Sequence, residues 1–141
     1  MDRSRAAEFL GQHLKPLTSF LCLGHWTFTV CCKPLPDGVR ATIDINETYE
    51  FAEIAFDADK SSTDEELLDT LYHELTHVIL SPAEVYFKFA SPHFPAGSPF
   101  AESERVVRTH AVEQIVINLE RVWRNGLRDF YLDLFTSGGL G

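Results

Sequence analysis

The sequence predicts an α+β fold in which three or more antiparallel or mixed strands pack on two long helices. Three observations carry this expectation. Apolar residues alternate in three short runs of the first half, they recur at helical spacing over two longer runs after it, and Pro, Gly and Asp gather between the runs.

At the N-terminus, Ala6, Phe9, Leu10 and Leu14 stand at helical spacing and predict a helix over Arg5 to Lys15. Pro16 is expected to end it, so residues 1–16 read as helix and linker. From His25 to Lys33, Trp26, Phe28, Val30 and Cys32 alternate with Thr27, Thr29 and Cys31, the two-residue period of a half-buried strand. Pro34, Pro36, Asp37 and Gly38 close that strand in a turn. A second alternation puts Val39, Ala41, Ile43 and Ile45 on one face, and a third runs from Tyr49 to Phe56. An antiparallel meander is the simplest arrangement of the three.

Residues Asp57 to Asp64 are polar and turn-like. Ser62, Thr63 or Asp64 can cap a following helix, and Glu65 and Glu66 suit the positive end of its dipole. That helix is predicted to run to about Leu80, where Ser81-Pro82 discourages its continuation. Four prolines and Gly97 between residues 82 and 99 predict an irregular connection with a helical turn around Glu84 to Phe89. Its aromatics, Tyr86, Phe87, Phe89, Phe94 and Phe100, either cover the core and its rim or line a substrate pocket. A second long helix is expected from Glu102 to Asn125, stopped by Gly126, and residues 136–141 read as a flexible tail. No repeat or linker divides the chain, which reads as one domain over 1–141.

Composition narrows the partners. With 12 Lys+Arg against 21 Asp+Glu, the net charge of -9 disfavours contact with nucleic-acid phosphates and with anionic membranes, leaving a peptide or protein as the expected partner. Cys22, Cys31 and Cys32 offer no Cys-x-x-Cys spacing, so neither a disulfide framework nor a thiolate zinc site is expected. Arg3 and Arg5 are not followed by the apolar core of a secretory signal, and no apolar run approaches the ~20 residues of a membrane span. A cytoplasmic protein is expected.

The chemistry concentrates in His73-Glu74-Leu75-Thr76-His77. On a helix, histidines four apart project from one face and can take two corners of a tetrahedral Zn2+ site, while Glu74 lies beside the metal as a general base toward the attacking water. Leu67, Leu68, Leu71, Leu75, Val78 and Ile79 form a stripe on nearly the opposite face, so these are not histidines of an apolar core. The bland alternative is a pair of solvated histidines. Catalytic zinc needs a third protein ligand. The next helix offers Glu102, Glu104, His110, Glu113 and Glu120; its apolar stripe of Val112, Ile115, Val116, Leu119, Val122 and Trp123 leaves His110 and Glu113 together at its margin. Glu113 is the expected metal ligand, with Glu102, His110 and Glu120 left open. His110 is a candidate partner of the ligands or donor to the developing oxyanion, against the reading of a surface histidine. Tyr72 and Tyr86 are candidate phenol donors to the same oxyanion, against a packing role.

The His-Glu-x-x-His motif resembles the zincin metallopeptidases, and a helical glutamate 36 residues beyond His77 resembles their gluzincin branch. The resemblance covers roughly Ala41 to Asn125. Leu80 and Ala83 stand where metzincins carry Gly and His, which excludes that branch, and the Glu-Gly-Cys-Leu stretch of peptide deformylases is absent. Around Glu113 the chain reads Val112-Glu113-Gln114-Ile115-Val116-Ile117, without the aspartate that supports a zinc histidine in thermolysin-type enzymes. The arrangement is similar to that of prokaryotic regulatory proteases that cleave repressors, though without their Glu-Ala-Asn signature, and a small chain of this kind suits a bacterium or bacteriophage. The resemblance implies a zincin-like domain whose metal faces a cleft under an edge strand, where an extended peptide could pair by β-augmentation. Phe51 to Phe56 is the expected edge. The resulting expectation is a zinc metallopeptidase; its rivals are a catalytically inactive, zinc-stabilised protein-binding module and a zinc-free interaction protein.

Overall fold

The computed structural model describes residues 1–90, 95 and 97–140, with the side chains of 86–90 outside the description. The elements follow as α1 (Arg3–Phe20), β1 (Thr27–Cys32), β2 (Ala41–Asn46), β3 (Phe51–Phe56), a 3-10 turn at Ala58–Lys60, α2 (Asp64–Ala90), α3 (Pro99–Val122), a π-type turn at Trp123–Leu127 and α4 (Arg128–Ser137). The fold is α+β, as the alternating and helical runs predict.

The sheet is mixed and its order is β1-β3-β2, not a meander: β3 pairs in parallel with β1 and antiparallel with β2. A tight turn joins β2 to β3, in which Asn46 Oδ1 accepts the N–H of Tyr49 and Glu50 adopts a φ of 51°. The segment between β1 and β2 instead crosses over, and the exit of β3 pins it. The Asp57 carboxylate accepts the N–H groups of Leu35 and Asp59 at 2.9 and 3.2 Å, while Lys60 Nζ donates to the carbonyls of Leu35 and Val39, each at 2.9 Å. These N–H donors, Leu35 foremost, with Lys60 beside them, hold the Asp57 carboxyl below its usual range against the cost of burial. A crossover tied to the end of β3 leaves β1 and β2 on its two sides. The expected edge, Phe51–Phe56, is therefore the central strand, and β2 is the edge beside the candidate site.

Alternation predicts the faces correctly. Phe28, Val30, Cys32, Ala41, Ile43 and Ile45 pack toward the helices, whereas Thr27, Thr29, Thr42, Asp44, Asn46 and Glu53 face solvent. Against the inner face lie Leu10 and Leu17 of α1 and Leu67, Leu68, Leu71, Leu75 and Val78 of α2, joined by Trp123 and Tyr131 from the C-terminal end. Each such aliphatic side chain contributes about 1.5–3 kcal/mol by leaving water.

That burial explains why two prolines fail to stop their helices. α1 continues through Pro16 because Leu17 and Thr18, just beyond it, are buried. α2 continues through Pro82 to Ala90, past the predicted end at Leu80 and over the first part of the expected irregular stretch, of which residues 91–94 and 96 lie outside the described residues; Val78 and Ser81 before the proline are buried. Gly126 interrupts the last helical run as expected, with a φ of 146°, yet the chain resumes as α4. The predicted tail therefore begins inside a helix, which Gly138 closes in the left-handed region. Among the described residues, no helix is long and apolar enough to cross a membrane.

Candidate functional site

α2 divides its faces much as the period predicts. Leu67, Leu68, Leu71, Leu75 and Val78 are buried, with Ile79 at the margin, 40% exposed. His73 and His77 leave the other side half-buried, their ring centroids 5.3 Å apart and their planes inclined by 66°. Two imidazoles sharing one tetrahedral zinc, at metal–nitrogen distances of about 2.0–2.1 Å, have centroids about 5 Å apart. The spacing of the two rings is compatible with a common divalent ion.

Glu74, adjacent to His73, is only 6% exposed. Burial pushes its carboxyl above the usual carboxylate range, with the neighbouring His73 opposing the shift. His77 moves the other way: burial and then the charge on His73 lower it, while Glu84, Glu113 and Glu120 pull it up. The neutral imidazole is the form that binds a metal.

Glu120 Oε1 is hydrogen-bonded to His73 Nδ1. A carboxylate on one ring nitrogen fixes the imidazole and leaves the other nitrogen, Nε2, for an ion. A polar clamp sets the position of Glu120. Tyr72 is buried, stacks on Trp123 at 4.3 Å between centroids and donates its O–H to the carbonyl of Leu119 at 3.1 Å. Trp123 Nε1 donates to Asp69 Oδ1 at 2.8 Å, and Arg128 donates to both oxygens of the same carboxylate at 2.9 and 3.0 Å. The phenol of Tyr72 is thereby engaged in packing α3 on α2 rather than aimed at an oxyanion. The side chain of Tyr86, like those of Phe87, Phe89 and Phe94, lies outside the described residues, and Phe100 is 65% exposed at the start of α3, away from the core.

Glu113 lies two turns before Glu120 on the side of the other histidine: His77, Glu84, Arg108 and Glu113 line a cavity of about 260 Å³. His110 is exposed and lines neither this cavity nor the cleft described below, so it is not brought to the histidine pair. Glu102 is paired with Arg105 at 2.6 Å on the helix exterior. Among the described residues no three His, Cys, Asp or Glu side chains are gathered around a single ion position. The arrangement is a histidine pair with Glu120 on the His73 side and Glu113 on the His77 side.

His73, Glu74 and Glu120 open onto a cleft of about 610 Å³ whose far wall is the entry to the edge strand, Gly38 to Ala41. Glu113 and Glu120, seven residues apart, stand on nearly the same side of α3, so the apolar stripe alone does not tell which of them reaches His73. Val116 and Trp123 are buried, whereas Ile115 and Val122 are 43% and 56% exposed. The inward face therefore runs Val116-Glu120-Trp123, at helical spacing, and carries a carboxylate in its middle. Comparison of the chain with protein-family models, with curated proteins and with solved structures gives no match.

Proposed function

We propose that this chain is a zinc-dependent metallopeptidase of the zincin type that hydrolyses peptide bonds. The observation that carries the reading is the half-buried imidazole pair, 5.3 Å apart, beside a buried carboxyl, with His73 and Glu74 lining an open cleft and His77 a neighbouring cavity. His73 and His77 would hold the ion, Glu113 would complete its protein ligands, and Glu120 would orient His73 through Nδ1. When bound, zinc supplies a Lewis acid that polarises the scissile carbonyl and acidifies water.

Glu74 accepts the proton of the attacking water and returns it to the leaving amine. Its raised affinity for a proton suits a group that must do both near neutrality. The cleft wall at Arg40–Ala41 and the unpaired edge of β2 offer backbone to an extended substrate. A cytoplasmic setting belongs to the same proposal, supported by the composition.

The test is metal content and hydrolysis measured together on protein purified without a metal-affinity tag. About one zinc per chain with peptide cleavage supports the reading. Zinc without cleavage would leave a zinc-stabilised binding module, and a zinc-free chain at full metal exposure overturns both.

A further inference from the structure

Two arginines line the candidate cleft. Arg40 enters from the approach to β2 and Arg124 from the turn after α3, on the walls that hold His73, Glu74 and Glu120. Elsewhere Arg5 pairs with Asp64, Arg105 with Glu102, Arg108 with Glu104 and Arg128 with Asp69 and Glu65. Neither Arg40 nor Arg124 makes an ion pair or side-chain hydrogen bond among the described residues. The acids of the cleft are already engaged or buried. Asp69 is held by Trp123 and Arg128, Glu66 accepts the N–H of Ser62 at 2.7 Å, Glu120 meets His73, and Glu74 is shielded from solvent. Among the described residues lining this cleft, Arg40 and Arg124 are the guanidinium groups without a carboxylate partner.

We infer that Arg40 and Arg124 select a substrate carboxylate next to the scissile bond, so that the preferred substrate is an acidic peptide. The inference rests on the metallopeptidase reading for its position in the cleft. Guanidinium groups suit the role because they bind carboxylates in a planar, two-point fashion that amides do not reproduce. The net negative charge of the whole chain slows encounter with acidic peptides, so the preference acts in the bound complex and is set at short range. The carboxylate can belong to an internal Asp or Glu or to a peptide C-terminus.

The zinc-loaded protein is first given a pool of acetylated, amidated random peptides, and the cleavage sites are read by mass spectrometry. Matched quenched-fluorescent peptides follow, with Glu, Gln or Lys at the enriched position, together with a Gln peptide bearing a free C-terminus. Binding is measured separately by fluorescence polarisation on the Glu74→Gln protein, with no turnover involved. The expected result is a preference of about tenfold or more for Glu over Gln, weakening as salt is added. The Arg40→Gln/Arg124→Gln double variant should lose that preference, lysines at both positions should retain part of it, and Arg121→Gln, outside the cleft, should leave it intact. If only the free C-terminus is favoured, the carboxylate is terminal. Indifference between Glu and Gln with no gain from a free C-terminus, or an equal loss on all peptides in the double variant, overturns the inference while leaving a peptidase. Arginine-dependent binding of acidic peptides without zinc or cleavage overturns the peptidase reading and leaves the inference standing. Absence of both binding and cleavage overturns it as well.

Discussion

His13 and His73 are both helix histidines with a single partner on Nδ1, yet the molecule puts them in opposite surroundings. His13 is 4% exposed, stacked on Phe135 at 4.1 Å and tilted against Phe9 at 4.5 Å, and its Nδ1 meets the Tyr131 hydroxyl at 2.8 Å. His73 keeps 35% of its side chain exposed, faces a second imidazole, and gives Nδ1 to a carboxylate. A neutral phenol in an aromatic cage holds an imidazole uncharged and closed to ligands. A carboxylate at a cleft orients the ring and leaves its far nitrogen open to an ion. The partner, more than the residue type, separates the structural histidine from the one available for chemistry.

The sharpest way to test that separation is Glu74→Gln, which keeps the shape of the His73 region and removes its base. Hydrolysis should fall by about 10²–10⁴-fold with zinc content unchanged. Steady-state rates and metal analysis on one preparation decide this, and a variant that retains full activity refutes the role given to Glu74. Next in size is Trp123→Ala, which removes the ring stacked on Tyr72 and leaves Asp69 short of one donor. A loss of about 3–5 kcal/mol in urea unfolding is expected. A much smaller loss would show that the clamp does not set the position of α3.

The two carboxylates of α3 come third, and they separate the His73 side from the His77 side. Removing an ion-binding ligand should weaken zinc more than removing a carboxylate that orients a histidine, for which about 10–100-fold is usual. Glu113→Ala is therefore expected to lose more zinc affinity than Glu120→Ala in competition with a chelating dye. The reverse order would make Glu120 the ligand.

The sequence made the histidine pair and the inner strand faces legible because both depend on local periods, 3.6 and 2, that a single element carries alone. The order of the sheet was not legible. It depends on Asp57 and Lys60 reaching back to residues 35–39, a pairing that no alternation encodes. The helix ends were misplaced for a related reason. Pro16 and Pro82 weaken their helices by rules that act locally, about 3 kcal/mol at an interior site, whereas the burial of residues close to each proline opposes that cost from across the core. Glu120 was undervalued because α3 is apolar around much of its circumference, with Val107, Ile115, Ile117 and Val122 exposed, so its stripe gives no firm direction. The stacking of Tyr72 on Trp123, with the hydrogen bonds of Tyr72 to Leu119 and of Trp123 to Asp69, settles which side of α3 faces the histidines.

The smallest effect tests the other member of the opening pair. Tyr131→Phe removes the hydroxyl on His13 and leaves a buried nitrogen without a partner, at a cost of about 1–3 kcal/mol. The pH dependence has a definite sign. Burial, opposed by the charge of Asp64, lowers His13 below its ordinary 6.5 in the folded protein. The unfolded chain therefore binds the proton first as acid is added. The stability contributed by the neutral imidazole is complete above about pH 6.5 and is lost as pH falls below it. His77 is lowered in the same direction, so acid sensitivity alone does not identify the group responsible. The His13→Phe/Tyr131→Phe double variant does identify it, because it removes both polar atoms together and should regain much of the stability lost in Tyr131→Phe. Its urea midpoint should fall less than that of the parent between about pH 7.5 and about pH 5.5. An equal fall would transfer the acid sensitivity to His77, and the caged histidine would no longer be the electrostatic counterpart of the one in the cleft.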